Sequence, residues 1–157
     1  MIYINEWLPN PSGSDAEGEW IELFNSGENQ ISLDGWFLAL KNSKKLSLFG
    51  RMVDAGGYLI LPRRETKLTL RNTDGAIALY DAYGKIVDEA GFLGTAPEGK
   101  SFARADHDHD SQPFFTFTDP TPGAPNKVTD NLSLVTNDYP VGVPLRAGVG
   151  SVGILGM

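Results

Sequence analysis

The sequence predicts an all-β sandwich of about nine to ten short strands with an extended C-terminal tail. Three observations predict it. Short runs of alternating apolar and polar residues recur along the chain, each bounded by Gly, Pro, Asn or Asp. No window of about eleven or more residues keeps an apolar period of 3.6, so no substantial helix is expected. Glycine and proline number 18 and 10 among 157 residues, as many strands joined by tight turns require.

Residues 2–8 form the first strand. Pro9-Asn10-Pro11-Ser12-Gly13-Ser14 follows as a loop, with φ fixed at the prolines and free at the glycine. Residues 19–25 form the second strand, with Trp20, Glu22 and Phe24 on one face and Ile21 and Leu23 on the other. Ser26-Gly27-Glu28-Asn29 turns the chain, and Ile31 and Leu33 lead to Asp34-Gly35, a strong tight-turn dipeptide. Strands at 36–40 and 46–49 flank a polar stretch. Ala55-Gly56-Gly57 introduces 58–61, whose unbroken apolar run reads as a buried central strand. Residues 67–70 read as a strand, and Asn72-Thr73-Asp74-Gly75 turns into a hairpin of 76–80 and 85–88 that 91–93 extends. Residues 102–104 and 114–117 read as late edge strands. Three prolines between Pro120 and Asn126 close the domain, because proline cannot donate to a ladder. The expected division is therefore a domain at 1–126 and a linker or tail at 127–157.

Thirteen Lys and Arg against twenty Asp and Glu give a net charge of −7. Such a chain repels phosphate backbones and anionic lipid, which argues against broad nucleic-acid or membrane-surface binding. The absence of cysteine excludes a disulfide framework and a thiolate metal site, and leaves the redox compartment open. Ser, His and Asp occur, but no Ser sits in a Gly-x-Ser-x-Gly turn. No basic segment and apolar run precede Ile2 and Ile4. Two readings stand, a cytoplasmic protein or a surface protein whose leader lies outside this sequence, and the second is favoured.

The tail changes character. Residues 128–135 suit one more strand or an extended linker. Pro140-Val141-Gly142-Val143-Pro144 is a semi-rigid spacer. Residues 147–157 are uncharged, small and apolar, and too short for the roughly 20 residues that a membrane helix needs. They read as the start of a membrane anchor, a glycine-rich tail, or a strand docked on the sandwich.

The pair Glu-Trp occurs twice, at Glu6-Trp7 and Glu19-Trp20. A tryptophan on a strand buries a large area and anchors packing between sheets, so Trp7, Trp20 and Trp36 are core or rim anchors. Trp7 lies beside the proline-rich loop, and with Asn10 it is the candidate partner-binding pair. If Glu22 shares the Trp20 face, it needs a partner, with Arg63, Arg64 or Arg104 as candidates. A paired-carboxylate glycosidase finds no cleft signal around these acids. The sharpest chemical feature is Asp106-His107-Asp108-His109-Asp110. Asp106, Asp108 and Asp110 share one direction in an extended segment and match the opening of a calcium loop. The pattern then departs, with Ser111 in place of the loop glycine and Phe117 in place of its bidentate Glu. The imidazoles of His107 and His109 are the second choice, for zinc or nickel with a ligand from elsewhere. A solvated acidic loop is the plainer reading, and no resident cofactor is expected.

Six blocks in order resemble the lamin tail domain family. They are Ile4-Asn5-Glu6, Gly18-Glu19-Trp20-Ile21-Glu22-Leu23-Phe24-Asn25, Leu33-Asp34-Gly35-Trp36-Phe37-Leu38, Ala55-Gly56-Gly57-Tyr58-Leu59-Ile60-Leu61, the stretch from Leu70 to Asp81, and Thr121-Pro122-Gly123-Ala124-Pro125-Asn126. Ala55 stands where the family commonly has proline, and Asp74-Gly75 reverses its usual Gly-Asp. The resemblance covers about 2–126 and implies an immunoglobulin-like sandwich without catalytic apparatus. It implies a protein-contact role, with bacterial and archaeal members often secreted or surface-attached. Heptads are absent, so the nuclear role of the lamins does not transfer. The expected function is a non-catalytic interaction or display module outside the cell. The alternatives are a self-assembling subunit that uses strand addition and an accessory carbohydrate- or calcium-binding domain of an extracellular enzyme.

Overall fold

The structure is a computed structural model, and it describes residues 1–40, 45–105 and 114–128. Two antiparallel sheets face each other. The first holds β1 (Ile2–Leu8), β2 (Trp20–Asn25), β7 (Tyr58–Pro62), β10 (Ser101–Ala105) and β11 (Phe114–Thr118), in the order β11-β10-β1-β2-β7. The second holds β4 (Phe37–Leu40), β5 (Lys45–Ser47), β8 (Ala76–Tyr80) and β9 (Ile86–Gly91), in the order β5-β4-β8-β9. β3 (Ile31–Ser32) and β6 (Met52–Val53) pair as a short ribbon between them in sequence. Helix among the described residues is confined to single turns at Asp15–Gly18 and Arg63–Thr66. The fold is the all-β, immunoglobulin-like sandwich that the alternation predicts.

Burial follows the pleat. Ile21 and Leu23 of β2, Leu38 of β4, and Ile77 and Leu79 of β8 are buried, and they meet Ile2, Ile4, Leu33 and Leu48 in one core. Strict alternation is broken in β1, and usefully. The register of β1 on β2 shifts between Ile4 and Glu6. Ile4 enters the core before this bulge and Trp7 after it, a spacing of three. Asn5 and Glu6 therefore both leave the core side and meet Ser101 and the segment after β11.

Trp7 is the largest buried side chain, at 1% exposure. Its ring lies 4.9 Å from Phe102, 5.7 Å from Phe115 and 6.4 Å from Phe92, centroid to centroid. Trp20 and Trp36 are half-buried, as rim anchors should be. A second link joins the sheets. Arg104 of β10 pairs with Asp88 of β9, Arg104 Nε donates to Ile4 O at 2.9 Å, and Ile4 N–H donates to Asp88 Oδ2 at 2.8 Å.

Three elements differ from the sequence expectation. The apolar 58–61 run lies in β7, which among the described residues is an edge strand paired with β2 alone, and Ile60 is 39% exposed. Its apolar run packs on its neighbours without being covered on both sides. Residues 67–70 make no ladder. Leu68 and Leu70 are buried, but the Leu70 N–H donates to the Glu19 side chain at 3.0 Å. Residues 102–104 lie in β10, an inner strand between β11 and β1. Local alternation specifies a strand but not its rank in a sheet.

Candidate functional site

The polar centre of the molecule is a clasp on the outer face of the first sheet. Glu6 and Glu22 are direct cross-strand partners, and both are 0% exposed. A carboxylate removed from water needs donors, and here the segment after β11 supplies them. The Thr121 N–H donates to Glu6 Oε1 and Oε2 at 3.1 and 3.2 Å, and Thr121 Oγ1 lies 3.1 Å from Oε2. Ser101 Oγ donates to Glu6 Oε1. Glu22 accepts from Asn5 Nδ2 at 2.7 Å and from the Gly123 N–H at 2.5 Å.

Asn126 completes the closure. Its Nδ2 donates to Asn5 O at 3.1 Å and to Arg104 O at 2.8 Å. Thr118 Oγ1 then holds Lys127 O at 2.9 Å. Proline at 120, 122 and 125 pre-sets φ and lowers the entropy lost when this strap is laid down. The non-proline residues between them provide the N–H groups that reach the carboxylates. Among the described residues the two acids have no cationic partner. Burial, the largest cause, pushes the Glu22 carboxyl up from its ordinary 4.5, and the neighbouring Glu6 charge adds to it.

Glu19 forms a separate anchor at the β1–β2 loop end. It is buried, with Oε2 3.1 Å from Arg63 Nη1 and accepting from Leu70 N–H. Burial raises its carboxyl above 4.5 against those two partners, and Asp15 adds to the rise. Its Oε1 and the buried Asn72 Oδ1 meet no hydrogen-bond donor among the described residues. The first helical turn packs beside it. Gly18 is required there, because a Cβ would lie 2.5 Å from Pro11 Cβ.

The residues singled out from the sequence are distributed as follows. Trp7 is core, so the expectation that it faces a partner gives way to its burial against three phenylalanine rings. Asn10 is half-buried and engaged within the chain. Its Nδ2 donates to Ala96 O at 2.8 Å, and its carbonyl accepts from Gly99 N–H. Asp106, Asp108 and Asp110, with His107 and His109, lie outside the described residues. Glu22 does share the Trp20 face, but its partners are an amide and a backbone N–H rather than an arginine. Arg63 serves Glu19, and Arg104 serves Asp88. Ser101, Thr121, Gly123 and Asn126 carry the clasp and were not singled out by side-chain chemistry. The available signal was two outward glutamates beside tryptophans, together with a proline-spaced segment that has N–H groups to give.

The family model described as Lamin Tail Domain matches residues 1–94. No curated protein and no solved structure matches the chain.

Proposed function

The chain belongs to the lamin tail domain family, and on that footing we propose that it is an interaction and display module of a cell-surface or secreted protein, meeting a protein partner through its loops or a sheet edge. Lamin tail domains are non-catalytic, immunoglobulin-like modules that commonly serve protein interactions. The observation that carries the reading is the engagement of the buried carboxylates. Glu6, Glu19 and Glu22 accept from donors of their own chain that hold the strap and the 67–70 crossing. They rigidify a scaffold, and a rigid scaffold leaves recognition to loops.

The folded unit in this reading runs to Asn126, past the end of the family match. β10 pairs with β1, and Asn126 reaches Asn5 and Arg104. A fragment ending at 94 lacks half of the Trp7 ring cluster and the whole strap.

In-cell cross-linking of the native protein through exposed Lys45, Lys85 and Lys127 tests the proposal, with cells fractionated first. Recurrent links to one foreign protein in the surface or secreted fraction are expected. Recovery wholly in the soluble cytoplasm defeats the location. Links between copies alone favour a self-assembling subunit over the display module.

A further inference from the structure

The first sheet has an edge that the described chain leaves open. β7 pairs with β2 alone among the described residues, in unbroken antiparallel register from Phe24 opposite Tyr58 to Trp20 opposite Pro62. The Asn25 N–H donates to Gly57 O at 3.0 Å, and the Arg63 N–H donates to Glu19 O at 2.9 Å. These bonds mark the two ends of the ladder, so residues 57, 59, 61 and 63 turn their backbone groups toward β2. Tyr58, Ile60 and Pro62 turn theirs away from it. Pro62 has no N–H, and as N-cap of the Arg63–Thr66 turn it gives its C=O to that turn. What remains is a short template, the N–H and C=O of Tyr58 and of Ile60. None of these groups meets a hydrogen-bond partner among the described residues.

The template is unguarded. Tyr58–Pro62 carries no charge, whereas β5, an edge of the second sheet, is three residues long and opens on Lys45. Ile60 is 39% exposed on the outer face.

The spacing of the open groups fits a second β7. Laid antiparallel with Leu59 opposite Leu59, it sets Tyr58 of each copy against Ile60 of the other. Each such pair exchanges both N–H···O=C bonds, and every open group on each strand is answered. The copies are then related by a two-fold axis, so the contact closes on itself. Side chains agree. The Tyr58 ring of each copy covers the exposed Ile60 of the other, an aromatic against a β-branched residue. Phe24, 4.6 Å away between centroids, backs that ring.

Charge agrees as well. The same register brings the Arg63–Thr66 turn of each copy beside the Asp54–Gly57 turn of the other. Arg63 already serves Glu19, and Glu65 lies 3.6 Å from Arg51. That leaves exposed Arg64, with Lys67 beside it, to face exposed Asp54. A parallel pairing would set like against like. The tail of the same chain is another source of a strand, but Thr118 Oγ1 holds Lys127 O at 2.9 Å, which takes the chain past β11 at the opposite edge of this sheet.

We propose that β7 is a homodimer edge, with two copies joined antiparallel through Tyr58 and Ile60 about Leu59, so that their first sheets run on as one. This goes beyond the interaction-module reading and sets two modules side by side.

The chain has no cysteine, so single substitutions read the register. Facing Leu59 residues form a non-hydrogen-bonded pair with Cα atoms about 4.5 Å apart, within reach of a disulfide, whereas the two Ile60 residues lie on a diagonal of about 7–8 Å, beyond it. Under mild oxidation, full-length Leu59→Cys should form a covalent dimer at least about tenfold faster than Ile60→Cys, although position 60 is the more exposed. Sedimentation velocity on the wild-type chain, from about 10 μM to about 1 mM, should show the 17.0 kDa monomer giving way to a species of twice that mass. Ile60→Pro should abolish that species, since it removes an outward N–H and keeps the β2 ladder. Its thermal midpoint at the lowest concentration checks the fold. Arg64→Glu should weaken the dimer, and Arg64→Glu with Asp54→Arg should restore it, at two exposed positions that leave the core alone. A wild-type chain that stays monomeric throughout overturns the inference. So does Ile60→Cys cross-linking as fast as Leu59→Cys, a dimer that survives Ile60→Pro, or a charge swap that restores nothing. Each of these outcomes leaves the foreign-partner reading standing, which the in-cell cross-linking decides.

Discussion

Replacing Glu6 with alanine tests the clasp directly. Glu6 is 0% exposed and accepts from Ser101 Oγ, Thr121 N–H and Thr121 Oγ1. Its removal takes the acceptor from three donors and leaves the Thr121 N–H without one, while Ser101 Oγ keeps Thr118 O at 3.4 Å and Thr121 Oγ1 keeps Asn126 Oδ1 at 3.2 Å; a buried donor left unmade costs about 1–3 kcal/mol. Ser101 is 0% exposed and bears most of that cost, its remaining acceptor being distant, whereas Thr121 is half-buried and recovers part of it from water. Relief of the repulsion between Glu6 and Glu22 returns part of that loss. The net loss is then about 2–4 kcal/mol, a large share of the roughly 5–15 kcal/mol that holds a domain together. Urea unfolding of the full chain reads the loss, and amide hydrogen exchange reads its place. Thr121 and Gly123 should lose protection first, before the core strands. Ser101→Ala removes one donor with its acceptor intact and should cost about 1 kcal/mol. A Glu6→Ala loss under about 1 kcal/mol, with Thr121 and Gly123 still protected, would refute the reasoning.

Further outcomes follow from the same geometry. Glu22 has a folded-state carboxyl raised above 4.5, so the folded chain binds its proton more tightly than the unfolded one. Its contribution to stability is present below pH 4.5 and is lost as pH rises through the raised value, so the wild-type curve should fall relative to Glu22→Gln across that window. Urea midpoints measured in steps from pH 4 to about 8 check the sign, and a difference curve that rises instead contradicts it. Trp7→Ala should cost about 3–5 kcal/mol through the cavity it leaves among Phe92, Phe102 and Phe115. Thermal unfolding by near-ultraviolet circular dichroism detects it. Arg104→Met strands the Asp88 carboxylate between the sheets and should cost about 3–5 kcal/mol, whereas Arg104→Met with Asp88→Leu should recover much of that. A double variant no better than the single one would show that the ion pair does not link the sheets. Gly35→Ala meets both the left-handed φ of +80° and Ala82 Cβ at 2.8 Å, and should lower the unfolding free energy by about 1–3 kcal/mol with shifted amides at Tyr83 and Gly84.

Much of the architecture was legible in the chain. Period-2 alternation found β1, β2, β4, β8 and β11 within a residue or two, because one face of each packs on a core and the other does not. Segments 58–61 and 67–70 misled for opposite reasons. An apolar run marks packing and not position in a sheet, and an alternating run such as Leu68-Thr69-Leu70 makes no strand when its N–H finds a side chain instead. Trp7 is the core anchor that a strand tryptophan suggests, turned inward by the bulge at Asn5, and only its second reading as a partner contact, drawn from the proline-rich neighbour, fails.

The candidate sites were less legible. The strap sequence resembles the family beyond the matched residues 1–94, but nothing local says that Thr121 and Gly123 answer Glu6 and Glu22, more than a hundred residues earlier in the chain. The open edge of β7 was equally silent, since an apolar run does not tell an edge strand from an inner one.

Local residue pattern alone determined the strand-rich class, the acidic surface and the place where the ladder must stop, because steric and hydrogen-bonding limits on proline, glycine and alternating side chains act within a few residues. Only the tertiary structure decided which carboxylates are anchored, which tryptophan is core and which aromatics reach water. Those outcomes depend on donors and packing surfaces contributed by distant segments, and solvation is a property of the assembled layers rather than of any one stretch of chain.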